Sequence, residues 1–100
     1  MFFITCFSRC EKDERGFFRG GAQRTFGFKE TFEDAKYALN QNVCDMHEYL
    51  YTYAVVEEMR AGIHPDVESE VWFQWNEKEK GFFQIEKPKE TYGVCNFALG

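Results

Sequence analysis

No stretch of this 100-residue chain approaches the apolar length that a membrane-spanning helix needs. The opening Met1-Phe2-Phe3-Ile4-Thr5-Cys6-Phe7 is apolar but short and has no basic lead, so it reads as neither signal peptide nor membrane anchor. A soluble, cytoplasmic protein with no membrane partner is therefore expected. A surplus of bases is missing too. The formal net charge is -5, which argues against general nucleic-acid binding, because neutralising phosphates takes an excess of Lys and Arg.

Motifs with a recognised chemistry are also missing. There is no P-loop and no dinucleotide-binding glycine fingerprint. No nucleophile elbow surrounds Cys44, Cys95, Ser8 or Ser69, the thiols and hydroxyls considered beside His47 and His64. The carboxylates Glu57, Glu58, Glu68 and Glu70 fall mostly in surface-like settings, weak evidence for acid–base catalysis. The four cysteines (Cys6, Cys10, Cys44, Cys95) would permit two disulfides, but without a secretory signal they read as reduced, core-filling thiols. Cys6 and Cys10 lie too far apart along a strand to share a zinc ion unless the strand breaks between them. Cys44 and His47, three residues apart, are the one local ligand pair. The sequence thus points to no catalytic residue, no metal and no cofactor.

Aromatic residues are abundant: 19% of the chain, with 12 Phe, inside a 44% hydrophobic composition. Each buried ring contributes roughly 2–3 kcal/mol of transfer free energy, so a chain of this size can hold one core without disulfides. A second core is excluded by length. Core filling is the ordinary use of such rings, and an exposed binding platform is the alternative. Charge is unevenly spread. Residues 1–29 hold six bases (Arg9, Lys12, Arg15, Arg19, Arg24, Lys29) and three acids, whereas the remainder holds six bases and fourteen acids. The folded surface is expected to be polarised.

Alternation over Phe2 to Ser8 places Phe2, Ile4 and Cys6 on one side and Phe3, Thr5 and Phe7 on the other, a strand apolar on both faces and so internal to a sheet. A charged turn, Glu11 to Gly16, and the Gly20-Gly21 pair precede Arg24-Thr25-Phe26-Gly27-Phe28, which completes a first hairpin with a long connection. Thr31 and Asp34 have capping-box spacing, and Phe32, Ala35 and Leu39 share a stripe, so a helix is predicted from about Phe32 to Gln41, ending at Asn42. Residues 43–48 read as a loop or short helix. Tyr49 to Met59, with Tyr49, Tyr51, Tyr53 and Val55 on one side and Leu50, Ala54 and Val56 on the other, is predicted as the central strand. Glu70 to Trp75 and Phe82 to Glu86 form a second hairpin around a charged turn, with Gly81 available for a positive φ. Tyr92 to Phe97 can add a last strand. The expectation is one α+β domain over residues 1–100: a small antiparallel sheet of about five to six strands packed against one main helix.

Phe3-Ile4-Thr5-Cys6-Phe7-Ser8, Arg24-Thr25-Phe26-Gly27-Phe28, Tyr53-Ala54-Val55-Val56-Glu57 and Trp72-Phe73-Gln74-Trp75-Asn76 together resemble short uncharacterised proteins of Firmicutes and their phages and mobile elements, across nearly the whole chain. The resemblance brings no known active site. It implies a small acidic protein that binds a host factor, defence machinery included.

The leading expectation is accordingly a non-enzymatic interaction protein, a phage-type inhibitor of a host protein or protein complex. Its contacts would be the rings Trp72, Trp75, Tyr51 and Tyr53 and the acids Glu68, Glu70, Glu77 and Glu79, the acids imitating nucleic-acid phosphates against a basic groove. The alternative is a small-ligand or nucleotide-sequestering protein. It would use Arg19 and Arg24 as anion clamps and Phe17 and Phe18 as stacking rings around Gly20-Gly21. An enzyme ranks third. Exposed strand edges also raise the expectation of a homodimer.

Overall fold

The computed structural model describes residues 1–7, 10–12, 14–15, 18–20, 23–41, 51–59 and 67–89. Its main body is a five-stranded antiparallel sheet in the order β4-β1-β5-β6-β7, with one helix on one face. The strands are β1 (Phe2–Phe7), β4 (Gln23–Lys29), β5 (Tyr53–Met59), β6 (Val67–Asn76) and β7 (Gly81–Ile85). Two short strands, β2 (Cys10–Lys12) and β3 (Phe18–Gly20), pair with each other in the connection between β1 and β4. This is the α+β architecture that the sequence pattern predicts.

β1 is internal, as its two apolar faces require: it pairs with β4 on one side and β5 on the other. Ile4 and Cys6 are buried beneath the helix, whereas Phe7 is buried on the opposite face with Val55 and Trp72. The β1–β4 register slips between Ile4 and Thr5, because Ile4 pairs with Gly27 and Thr5 with Thr25. Phe26 is the extra residue of that bulge, and Gly27 takes φ +129, a conformation that side-chain-bearing residues rarely adopt.

The helix α1 (Phe32–Leu39) starts where the capping box predicts. The Thr31 side chain accepts the Asp34 amide at 3.2 Å, and Glu33 and Asp34 sit in the first turn, where the helix dipole favours acids. Ala35, Ala38 and Leu39 are its buried stripe. The helix is shorter than predicted. Asn40 is the C-cap, and its side-chain amide donates back to the Lys36 carbonyl at 3.4 Å. The predicted terminator Asn42 lies outside the described residues, as does the ambiguous stretch 43–48.

β5 is the central strand, but it starts at Tyr53, not Tyr49. Residue 52 is a bend, held by its amide donating to the Phe7 carbonyl and its carbonyl accepting from Trp75. That bend breaks the alternation. Tyr53 and Val55 stay on the face opposite the helix, while Tyr51 packs into the helix-side core against Phe26.

β6 and β7 form the second predicted hairpin, closed by the Asn76–Gly81 pair. The positive φ falls on Lys80 (φ 55), not on Gly81. A four-residue loop, 77–80, leaves its last residue to take the left-handed turn position. Gly81 bears on packing instead: a Cβ there would lie 3.3 Å from Asn40 Oδ1, so the carboxamide would have to shift by a few tenths of an ångström. The possible last strand at 92–97 lies outside the described residues.

Two consequences are open to measurement. Space around Gly27 is open, with nothing within 4 Å of an added Cβ, so Gly27→Ala and Gly27→Ser should cost the same, about 1–3 kcal/mol of backbone strain, in urea unfolding. Neutral substitutions would show that the bulge tolerates an ordinary residue. Burial pushes the Cys6 thiol up to about 12, so Cys6 should resist alkylation at pH 8 in the folded protein and react once the chain is unfolded. Equal labelling in both states would contradict its burial.

Candidate protein-binding site

Cross-strand register arranges the face opposite the helix in transverse rows. One row runs Phe3, Glu57, Glu70; the next Thr5, Val55, Trp72, Ile85; the third Phe7, Tyr53, Gln74, Phe83. Exposure rises along the third row. Phe7 is fully buried, Tyr53 is half-buried and Phe83 is 50% exposed.

The four predicted contact rings separate accordingly. Trp72 is only 2% exposed: it stacks on Phe7 at 5.6 Å and meets the edge of Tyr53 at 6.5 Å. It is a core residue, not a surface contact. Tyr51 is 6% exposed and also belongs to the core, having crossed to the helix side at the Thr52 bend. Tyr53 and Trp75 remain half-buried at the hairpin end of the sheet. Trp75 is fixed on both sides. Its ring meets Phe82 edge-on at 5.3 Å, and its indole N–H donates to Glu77 Oε2 at 2.7 Å.

Among the described residues, the acids Glu70, Glu77 and Glu79 are not gathered into one patch. Glu70 pairs with Lys87 at 2.6 Å. It stands six residues from the Asn76 end of β6, about 20 Å at strand rise. Glu77 and Glu79 occupy the turn, where Lys78 and Lys80 balance them. Glu77 also bonds to Lys80, while the Asn76 side chain accepts the Glu79 amide at 2.9 Å. The Glu68 side chain lies outside the described residues. Among the described acids, the two that lie together, Glu77 and Glu79, are offset by lysines and do not form an acidic row like a nucleic-acid backbone.

Among the carboxylates weighed for catalysis, Glu57 departs from its surface-like setting. It is fully buried between Phe3 and Glu70 in the sheet register. Glu58 accepts the Ser69 hydroxyl at 3.1 Å. His47, His64, Cys44, Cys95 and Ser8 lie outside the described residues. Among the described residues, no three His, Cys, Asp or Glu side chains gather as metal ligands.

Of the alternative ligand set, only Arg24 has a described side chain. It is exposed on β4, with its guanidinium 4.8 Å from the Phe26 ring centroid. Arg19 and Phe18 belong to β3 by backbone alone, and Phe17 lies outside the described residues.

What the structure does bring together at the β6–β7 end is an open groove of ≈ 410 Å³ lined by Gln74, Trp75, Asn76, Glu77, Phe83 and Ile85. Sequence reasoning missed Phe83, Ile85 and Gln74. The signal was present in the Phe82-Phe83 doublet: consecutive strand residues face opposite ways, so one ring fills the helix-side core and the other must leave it. A second groove follows the outer side of α1, lined by Glu33, Asp34, Lys36, Tyr37 and Asn40, and it offers a single ring among charges.

The Trp75–Glu77–Lys80 contact has a pH signature. Hydrogen bonds from Lys80 and Trp75, with the Lys80 charge, hold the Glu77 carboxyl below its ordinary value of 4.5. The interaction is complete above that ordinary value and is lost as pH falls through the lower folded one. Trp75 emission should therefore change only below about pH 4.5, and the step should vanish in Glu77→Ala. An identical acid titration in both proteins would refute the coupling. No family model, curated protein or solved structure matches this chain.

Proposed function

We propose that this is a non-enzymatic binding protein whose contact surface for another protein is the β6–β7 end of the sheet. The observation that carries the reading is Phe83. A large ring stands half-exposed beside Ile85, with Trp75 pinned on the helix side of the same sheet end, on a hairpin anchored to the core by Trp72 and Phe73. Exposed aromatics on a rigid support are what protein interfaces use as anchors, because little side-chain freedom is lost on docking. The surrounding Gln74, Asn76 and Glu77 supply a polar rim.

The resemblance to short proteins of Firmicutes phages and mobile elements favours a host protein as the partner, which makes inhibition of that host factor the working role. The contact set differs from the sequence expectation: Phe83, Ile85, Trp75 and the half-buried Tyr53 replace Trp72 and Tyr51, and recognition is aromatic more than acidic. An association of this kind should weaken little with added salt.

The test uses the whole protein as bait in a bacterial lysate, with captured proteins and released nucleotides both analysed. A protein in stoichiometric amount, reduced about tenfold or more by Phe83→Ala and untouched by Tyr37→Ala, is the expected result. A partner indifferent to Phe83→Ala would remove this surface from the interface. A nucleotide without a protein would overturn the reading in favour of the sequestering alternative and turn attention to Arg24.

A further inference from the structure

β7 is the outer strand of the sheet among the described residues, and outer strands invite pairing with a second chain. Its backbone shows how that invitation is limited. In an antiparallel ladder, alternate residues turn their N–H and C=O groups toward the neighbouring strand and away from it. The Phe82 N–H donates to Asn40 Oδ1 at 3.2 Å, so Phe82 is one of the residues facing away from β6. By alternation Gln84 is the next, and the strand ends at Ile85.

The series is blocked at its start, and its extension past Ile85 is discouraged. At one end the Asn40 carboxamide occupies the Phe82 amide, and the absence of a Cβ at Gly81 lets it approach. Three residues past the strand, Pro88 has no N–H with which a longer ladder could continue. Gln84 within the strand and the charged Glu86 just past it are both exposed. A short edge, a charge and a proline are the devices by which sheets avoid edge-to-edge association. Asn40 adds a fourth, supplied by the helix.

We propose that the helix C-cap Asn40, together with Glu86 and Pro88, guards the β7 edge against antiparallel pairing with a second copy of this chain. The guard leaves the partner-binding face beside Phe83 open while closing the strand edge next to it. The homodimer expected from exposed edges is then suppressed at β7. This inference does not depend on the proposed function, since it concerns the edge and not the face.

The experiment measures self-association by sedimentation of the purified full chain. The wild type should remain monomeric at β7. Asn40→Ala combined with Pro88→Ala and Glu86→Thr should raise the self-association constant about tenfold or more. Adding the charge of Gln84→Lys to that variant should reverse the gain. Asn40→Asp, which keeps an oxygen to accept the Phe82 amide, should behave as wild type.

Because Asn40→Ala also removes a cap contact, circular dichroism must show a folded chain. If it does not, Pro88→Ala with Glu86→Thr, which leaves α1 untouched, decides with a smaller expected gain. A folded unguarded variant that stays monomeric would overturn the proposal. So would a wild-type dimer that Gln84→Lys dissolves, because the edge would then be an interface and not a guarded one.

Discussion

The structure depends on β5 being paired along both sides, to β1 and to β6. The two pairings differ in range: β5 and β6 are consecutive strands, whereas β1–β5 joins segments well separated in sequence, and its loop-closure cost is recovered only when the strand is buried. The residues of β5 meet that demand. Ala54 and Val56 fill the helix-side core, and Val55 fills the opposite cluster with Phe7 and Trp72. Small and β-branched side chains let flanking rings approach from both neighbours. Glu57 is the exception, a carboxylate buried in the same strand, and its position is fixed by the register that places Val55 and Val56 correctly.

β5 also divides the sheet by sequence. β1 and β4 lie on one side of β5, and β6 and β7 on the other. The first 29 residues, which carry the excess of bases, therefore contribute the strands at one edge, and the later acidic sequence contributes those at the opposite edge. Locally the acids are then offset, Glu70 by Lys87 and Glu77 by Lys80. Carboxylates already paired in this way offer little to tight acidic docking.

Most elements were legible because their signals are local. The Thr31–Asp34 spacing announces the start of α1, alternation announces β1, and a charged turn between two aromatic strands announces the second hairpin. What failed was any statement about which side of the sheet a residue occupies across a break. Tyr51 looked like the continuation of Tyr53 and Val55, yet the Thr52 bend puts its ring on the other face. Trp72 looked like a surface anchor by residue type. Register places it against Phe7 and Val55, where the face is closed. Gly81 was assigned a backbone role, whereas its lack of a side chain serves the approach of Asn40 from 41 positions earlier in the chain. Each of these depends on a long-range contact that no window of sequence contains.

The two ends of the sheet's outer face differ for a physical reason that bears on function. Near β1 and β5 the rings are buried and mutually packed, so displacing them would cost core energy. Toward β7 the row runs out of neighbouring strands, and Phe83 is left half-covered while its backbone remains locked to β6. A ring in that position costs little to dock, because its strand is already ordered and its desolvation is partly complete. It also risks unwanted association, which is why a closed backbone edge beside an open aromatic face is a coherent combination. The face can then select a partner by shape, while the edge, with Asn40 on the Phe82 amide, is withheld from partners that would bind any strand.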